Sequence, residues 1–231
     1  MQLLRGQKYR WQLPQSNSAL ICDIAASYNL SFPVAQTLIN RGFADKQAIE
    51  SFLFSSREKD VAHTGRMKDA QKAVDRLLHA IAHEEKILIA GDYDVDGITS
   101  SAMMLVCLLP LNAQINFFLP NRVKDGYGLS PKIVERAAAN GYKVIVTVDN
   151  GITAFEAAEK AKEYGIDLII TDHHRPHDHV PDAFAIVNPH QKECEYPFKV
   201  FAGVGVTFKL LSLLYEIKGL TLPTKVYELL M

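Results

Sequence analysis

Between residues 86 and 187 the chain repeats one pattern, a short and almost wholly apolar run followed by a stretch with helical spacing. The runs fall at 86–90, 114–119, 142–148, 167–171 and 184–187. A strand with no polar side chain to show to water must be covered on both faces, which is the condition of a parallel sheet sandwiched by helices. The intervening segments, near 98–109, 131–140 and 153–164, supply those helices, and Ser130 before Pro131 is a well-formed helix start. The predicted fold is therefore α/β, a parallel sheet covered by helices on both faces.

Residues 1 to about 60 carry helical patterns at 18–28, 32–41 and 45–54, with Asp45 as an N-cap, and no strand signal. They form a helical N-terminal preface, leaving 61–231 as the α/β domain. Met67, Ala70, Val74, Leu77, Leu78 and Ile81 recur at spacings of three and four, predicting an amphipathic helix over 66–85 that leads into the first strand. A chain of 231 residues with 48% hydrophobic content can bury one sizeable core, or one core and a small appendage. The last segment, 221–231, breaks off in an amphipathic pattern with no stop signal, so a longer protein is expected.

Lys and Arg total 25 against 26 for Asp and Glu, a net charge of -1, which excludes a global basic field for holding nucleic acid. Cys22, Cys107 and Cys194 are scattered, with no Cys-x-x-Cys pair, so neither a disulfide framework nor a zinc knuckle is expected and a reducing cytoplasm fits. Arg5, Lys8 and Arg10 are not followed by an apolar stretch, and the longest apolar run, 102–111, is half a bilayer crossing. Neither a signal peptide nor a membrane span is predicted.

Three apolar runs end in acids: Asp92, Asp94 and Asp96 after the first, Asp149-Asn150-Gly151 after the third, Asp172-His173-His174 after the fourth. Ligands of open α/β sheets collect beyond the carboxyl ends of the strands, so these groups should converge. Clustered carboxylates repel and lose hydration unless a cation meets them. In extended backbone, side chains two apart face one way, which would align Asp92, Asp94 and Asp96. Oxygen ligands favour Mg²⁺ or Mn²⁺, and an imidazole tilts the choice towards Mn²⁺. The pattern points to a two-metal hydrolase.

Other readings fit less well. Asp92-x-Asp94-x-Asp96-Gly97 opens like an EF-hand loop, but the position that needs a bidentate Glu is Met103. A phosphatase with a nucleophilic Asp in an Asp-x-Asp turn would need a downstream Lys and paired acids, where this chain has Asp149-Asn150 and His173-His174. A solvated turn would explain either acidic segment alone, but not their shared placement at strand ends.

Five stretches together resemble the DHH phosphoesterase superfamily and, within it, the single-stranded-DNA-specific exonucleases. They are Asp92-Tyr93-Asp94-Val95-Asp96-Gly97, the loop from Pro120 to Ser130, Thr147-Val148-Asp149-Asn150-Gly151, Thr171-Asp172-His173-His174 and Ala202-Gly203-Val204-Gly205-Val206. The resemblance implies that Asp94, Asp96, Asp149 and His173 bind two Mn²⁺ or Mg²⁺ ions with Asp149 bridging. It implies that Asp92 and Asp172 are further ligands or supporting acids, and that His174 is the general acid or transition-state partner. It implies 5′-to-3′ degradation of single-stranded DNA from a free 5′ end to 5′-mononucleotides in repair and recombination, with a helicase and a single-strand-binding protein as partners. The family also places a metal-binding Asp after the two histidines. Here only Asp178 and Asp182 follow, both too near His174, so a site incomplete at its C-terminal side and a weakly active or inactive fragment are expected. The alternatives are a phosphoesterase for short oligonucleotides or cyclic dinucleotides, and a non-catalytic module of the same fold.

By the same resemblance Arg122 and Lys124 grip a phosphate, the alternative being a solvated loop, and Tyr127 either stacks on a base or packs in the core. Gly203 and Gly205 open an apolar helix whose first amides could meet a phosphate, and close packing against the sheet explains both glycines equally well. His79 and His83 stand four apart but opposite the apolar stripe, and are expected at the surface.

Overall fold

The computed structural model describes residues 2–5, 8–13, 17–56, 60–121 and 126–231. Two compact units divide the chain, Met1–Val61 and Ala62–Met231.

The first unit opens with an antiparallel hairpin, β1 (Gln2–Arg5) and β2 (Arg10–Leu13), in a region where only helices were expected. Strands of four residues that pair with each other leave too short a period to register in sequence. Three helices follow. In α1 (Ser18–Tyr28) Asn17 caps the Leu20 amide at 3.1 Å, and Asn29 ends the helix in the left-handed region. Helix α2 (Phe32–Asn40) has Pro33 in its first turn, and α3 (Lys46–Leu53) is capped by Asp45, which accepts from Ala48 N at 2.9 Å. Ile24, Ala25, Ala35, Leu38 and Ile49 form this unit's own small core.

The second unit holds the five-stranded sheet, β3 (Lys86–Gly91), β4 (Ile115–Phe118), β5 (Tyr142–Val148), β6 (Asp167–Thr171) and β7 (Ala185–Val187). All neighbours run parallel, in the order β4-β3-β5-β6-β7. Alternate residues serve opposite faces, as the pleat requires. Ile87, Ile89, Val144, Val146, Ile169 and Val187 pack with α4 (Ala70–Ala82), α5 (Val95–Leu108), α8 (Gly203–Ile217) and α9 (Lys225–Leu230). Leu88, Ala90, Ile145, Leu168, Ile170 and Ile186 pack with α6 (Pro131–Ala139) and α7 (Phe155–Glu163). The fold class follows the sequence reading in full.

Two helix starts differ from expectation by three residues or more. The helix expected over 66–85 is divided, because Asp69 adopts φ 59° and its carboxylate accepts the amide of Ile186 at 3.1 Å, so regular α-helix begins at Ala70. The other helix starts earlier than 98, at Val95, with consequences for the acids described below.

After β3 the chain adds β4 on one side and β5 on the other, so the winding direction reverses between β3 and β5. Their carboxyl ends diverge into separate loops at that point, opening the crevice where α/β sheets bind ligands. No helix among the described residues is long and apolar enough to cross a membrane.

Candidate metal centre

Asp92 follows β3 and Asp149 follows β5, so the two flank the reversal point, and both are buried, at 4% and 2% exposure. The loop after β6 brings Asp172, His173 and His174 to the same end of the sheet.

The three acids after β3 converge by a route other than extended alternation. Asp92 lies in the turn, Asp94 is the N-cap of α5 with Gly97 N donating to it at 3.0 Å, and Asp96 sits in the first helical turn. Gly97 is required there: a side chain would come within 2.5 Å of the Asp92 backbone. Asp96 turns to the start of α8, where Gly203 N donates at 2.7 Å and Val204 N at 2.9 Å to its two oxygens. A carboxylate at a helix N-terminus satisfies otherwise unpaired amides and the positive end of the helix dipole. The anion that meets the amide of Gly203 is thus Asp96, and the Gly205 amide donates to Ala202 O at 3.0 Å inside the helix start.

Asp149 adopts φ 64°, the left-handed region that Asp and Asn tolerate best among non-glycine residues. Its amide donates to Thr171 O at 3.0 Å, tying the end of β5 to that of β6. Its carboxylate presses on Gly203, where any side chain would overlap it. His173 Nε2 lies 3.2 Å from Asp149 Oδ1 and 3.9 Å from Asp96 Oδ2. Even so, that Asp149 oxygen is buried without a well-directed hydrogen bond. Burial, reinforced by the negative charges of Asp96 and Asp94, pushes the Asp149 carboxyl up to about 6 against the pull of His173. Burial likewise raises Asp92.

Asp172 is spent on organising the turn. One oxygen accepts from Ile152 N at 2.9 Å, and the other from His173 N at 2.7 Å, His174 N at 3.1 Å and His174 Nδ1 at 2.7 Å. Burial would raise this carboxyl, but the bonds from His174 and the backbone outweigh it and hold it below the ordinary range. The imidazoles respond in the opposite sense: the Asp149 carboxylate beside it raises His173, and the bond to Asp172 raises His174. With Nδ1 of His174 engaged, Nε2 is the nitrogen left for other partners.

Two sets of side chains bring ligand atoms within 4.8 Å of one another: Asp92, Asp94 and Asp149, and Asp149, His173 and His174. Asp149 belongs to both, the position a bridging carboxylate would take. The donor set is oxygen-rich with imidazole on one side, which suits Mn²⁺ and Mg²⁺. The buried Asp149 oxygen without a directed hydrogen bond and the raised carboxyls fit a cation at this place, since a nearby positive charge would offset both effects. Asp96 lies outside both sets and reaches the centre beside His173.

Tyr127 packs edge-on to Tyr93 and His174, with ring centroids 6.5 and 6.4 Å away, and is half-exposed at the rim of the centre. Its hydroxyl lies 3.5 Å from Asp149 O. Arg122 and Lys124 lie outside the described residues. His79 and His83 are exposed and stacked on each other, with centroids 4.0 Å apart. Asp182 pairs with Lys162.

Two supporting residues were given no role in the sequence reading. Asn150, fully buried, donates through Nδ2 to Ala90 O at 3.0 Å and Val148 O at 2.9 Å, clasping the ends of β3 and β5. Asn188, also fully buried, donates to His174 O at 2.8 Å. The signal for Asn188 was present, since it follows the apolar run 184–187 as the acids follow theirs.

A family model described as DHH family, N-terminal domain, matches residues 86–231. The chain is 42% identical over 205 residues to the single-stranded-DNA-specific exonuclease RecJ of Bacillus subtilis (strain 168), covering 89% of this chain and 26% of that protein. It is 44% identical over 146 residues to the protein of the same name from Escherichia coli (strain K12), covering 63% and 25%. The chain thus spans about a quarter of the length of these relatives. Among solved structures, exonuclease RecJ bound to manganese superposes with a TM-score of 0.65 at 32% identity, over 71% of this chain and 41% of that one. RecJ in complex with Mn²⁺ from Thermus thermophilus gives 0.70 at 26% identity, over 94% and 30%.

Proposed function

Since the chain belongs to the DHH family, we propose that it forms the metal-holding catalytic part of a single-stranded-DNA-specific exonuclease that works from a free 5′ end and releases 5′-mononucleotides. The observation that carries this is the pair of ligand sets sharing Asp149 at the reversal point of the sheet. Asp94, Asp149 and His173 are the ligands, with Asp92 beside them and Asp96 contributing the lone pairs its helix bonds leave open. Mn²⁺ or Mg²⁺ held there would supply a water of lowered pKa and neutralise charge growing on the phosphate.

The remaining roles fall to the protein's own groups. Asp172 fixes the His174 ring through Nδ1 and raises its pKa, so Nε2 can carry a proton to the leaving oxygen near neutral pH. Tyr127 offers a ring face at the rim on which a base can stack. Residues 61–231 are the catalytic domain in this reading, and Arg122 and Lys124 belong to its phosphate grip. The three free cysteines suit a reducing cytoplasm. A free single-stranded 5′ end arises when duplex DNA is unwound, so a helicase and a strand-coating protein are the partners the activity implies.

The test is a 3′-labelled single strand with an open or a blocked 5′ end, incubated with Mn²⁺. Degradation of the open strand to mononucleotides, with the blocked strand and duplex spared, is expected. A rate indifferent to strand length beyond a few nucleotides would instead mark a small-substrate phosphoesterase.

A further inference from the structure

Immediately after His174 the chain lines a cleft that the chemistry above leaves unused. Arg175, His177, Asp178 and His179 from the loop after β6, with His190 and Lys192 from the loop after β7, surround a cavity of about 640 Å³. That lies inside the range of roughly 300 to 1,000 Å³ usual for ligand sites. Asp178 is the one acid among these six ionisable side chains. With the histidines neutral, as in the chain's net charge of -1, the lining still carries two cations, Arg175 and Lys192, against one acid.

The cleft is built into the fold. Phe155 packs against His177 and His179, with centroids 6.4 and 4.7 Å away. Asn188 joins the cleft to the metal centre: it donates to His174 O at 2.8 Å and accepts the amide of His190 at 2.8 Å.

A metal is the wrong occupant. Among the described residues, neither set of ligand atoms close enough to share a cation includes His177, Asp178, His179 or His190. Arg175 and Lys192 would also repel one. Basic groups spread along a trough suit a polyanion, whose phosphates each need a nearby positive charge. Resting on the nuclease reading, we propose that this cleft is an anion subsite that takes backbone phosphates of the single strand beyond the one being cleaved.

Arg175→Gln with Lys192→Gln tests it, and both side chains are exposed, so the fold is not at stake. Binding of a 3′-fluorescein thymidine dodecamer is followed by anisotropy in EDTA at several salt concentrations, for the double variant and the unaltered chain. The slope of log K against log salt should shrink by about 1.4, roughly 0.7 for each lost cation on a single strand, with affinity at low salt down about tenfold. The Mn²⁺-induced rise in melting temperature should be retained. An unaltered slope would sink the subsite. So would loss of the Mn²⁺ response together with affinity, which would make the two cations supports of the metal centre. Failure of the nuclease reading shows separately, as absence of cleavage by the unaltered chain with Mn²⁺.

Discussion

Replacing Asp149 by Asn should stabilise the protein in EDTA and abolish its response to manganese. Asn has the same shape and, like Asp, accepts the φ of 64° found here, so the backbone need not move. The wild-type carboxyl is pushed from 3.8 up to about 6, chiefly by burial. At 1.36 kcal/mol per pKa unit, keeping it ionised costs the metal-free fold about 3 kcal/mol. The sign follows from the folded state holding the proton more tightly than the unfolded one. The wild type suffers no penalty below pH 4, loses stability as pH climbs to about 6, and bears the full cost above that. At pH 7.5 the Asn variant should therefore melt some 6 to 12 °C higher in EDTA, at about 2 to 4 °C per kcal/mol for a chain of this size. The two proteins should converge near pH 4. Mn²⁺ at a hundred times its dissociation constant adds about 2.7 kcal/mol to a native state that binds it, and should do so for the wild type alone. Differential scanning fluorimetry across pH, with and without Mn²⁺, reads both effects. A variant less stable than wild type in EDTA at pH 7.5, or one that keeps the Mn²⁺ shift, would refute the account of Asp149 as a carboxylate held for a cation.

Gly203→Ala would push a methyl into the Asp149 carboxylate, and calorimetry should find Mn²⁺ affinity at least tenfold lower, about 1.4 kcal/mol. Asn150→Ala leaves Ala90 O and Val148 O without their side-chain donor, so denaturant unfolding should show a loss of about 1 to 3 kcal/mol, with weaker Mn²⁺ binding as the two strand ends loosen. Asp172→Asn removes the charge that raises His174, so an NMR titration should find that imidazole shifted down towards 6.5, with activity reduced about 10- to 100-fold.

The strands were legible to the residue where burial is nearly complete on both faces: β5 and β6 begin and end where the apolar runs do, with their charged residues, Lys143 and Asp167, confined to the first two positions. The convergence of Asp149 and the two histidines was legible for a related reason, namely that a charged group next to a buried strand is conspicuous. Asp96 was harder. Its type and spacing promised a side chain in line with Asp92 and Asp94, but the helix starts at Val95 and turns it to the amides of a segment 107 residues away. No local pattern encodes that partner. Asp69 is the same case, since its left-handed turn is held by the Ile186 amide. The hairpin at 2–13 was missed because its strands answer only to each other.

Residues that face the sheet are thus readable from hydrophobicity alone, whereas residues that join one helix start to another depend on which elements the topology makes neighbours. The parallel sheet makes the acids at its strand ends an exception. Every strand in such a sheet points its carboxyl end the same way, so an acid that follows an apolar run is delivered to one side of the molecule whichever strand it follows. Where the winding reverses, between β3 and β5, the loops part and leave room. A chain that repeats an apolar run followed by an acid therefore encodes a shared cation site before any long-range contact is known. In this chain the contacts that shape the site from outside, from Gly203, Asn150 and Asn188, come from residues whose importance appears only once the strands are in place.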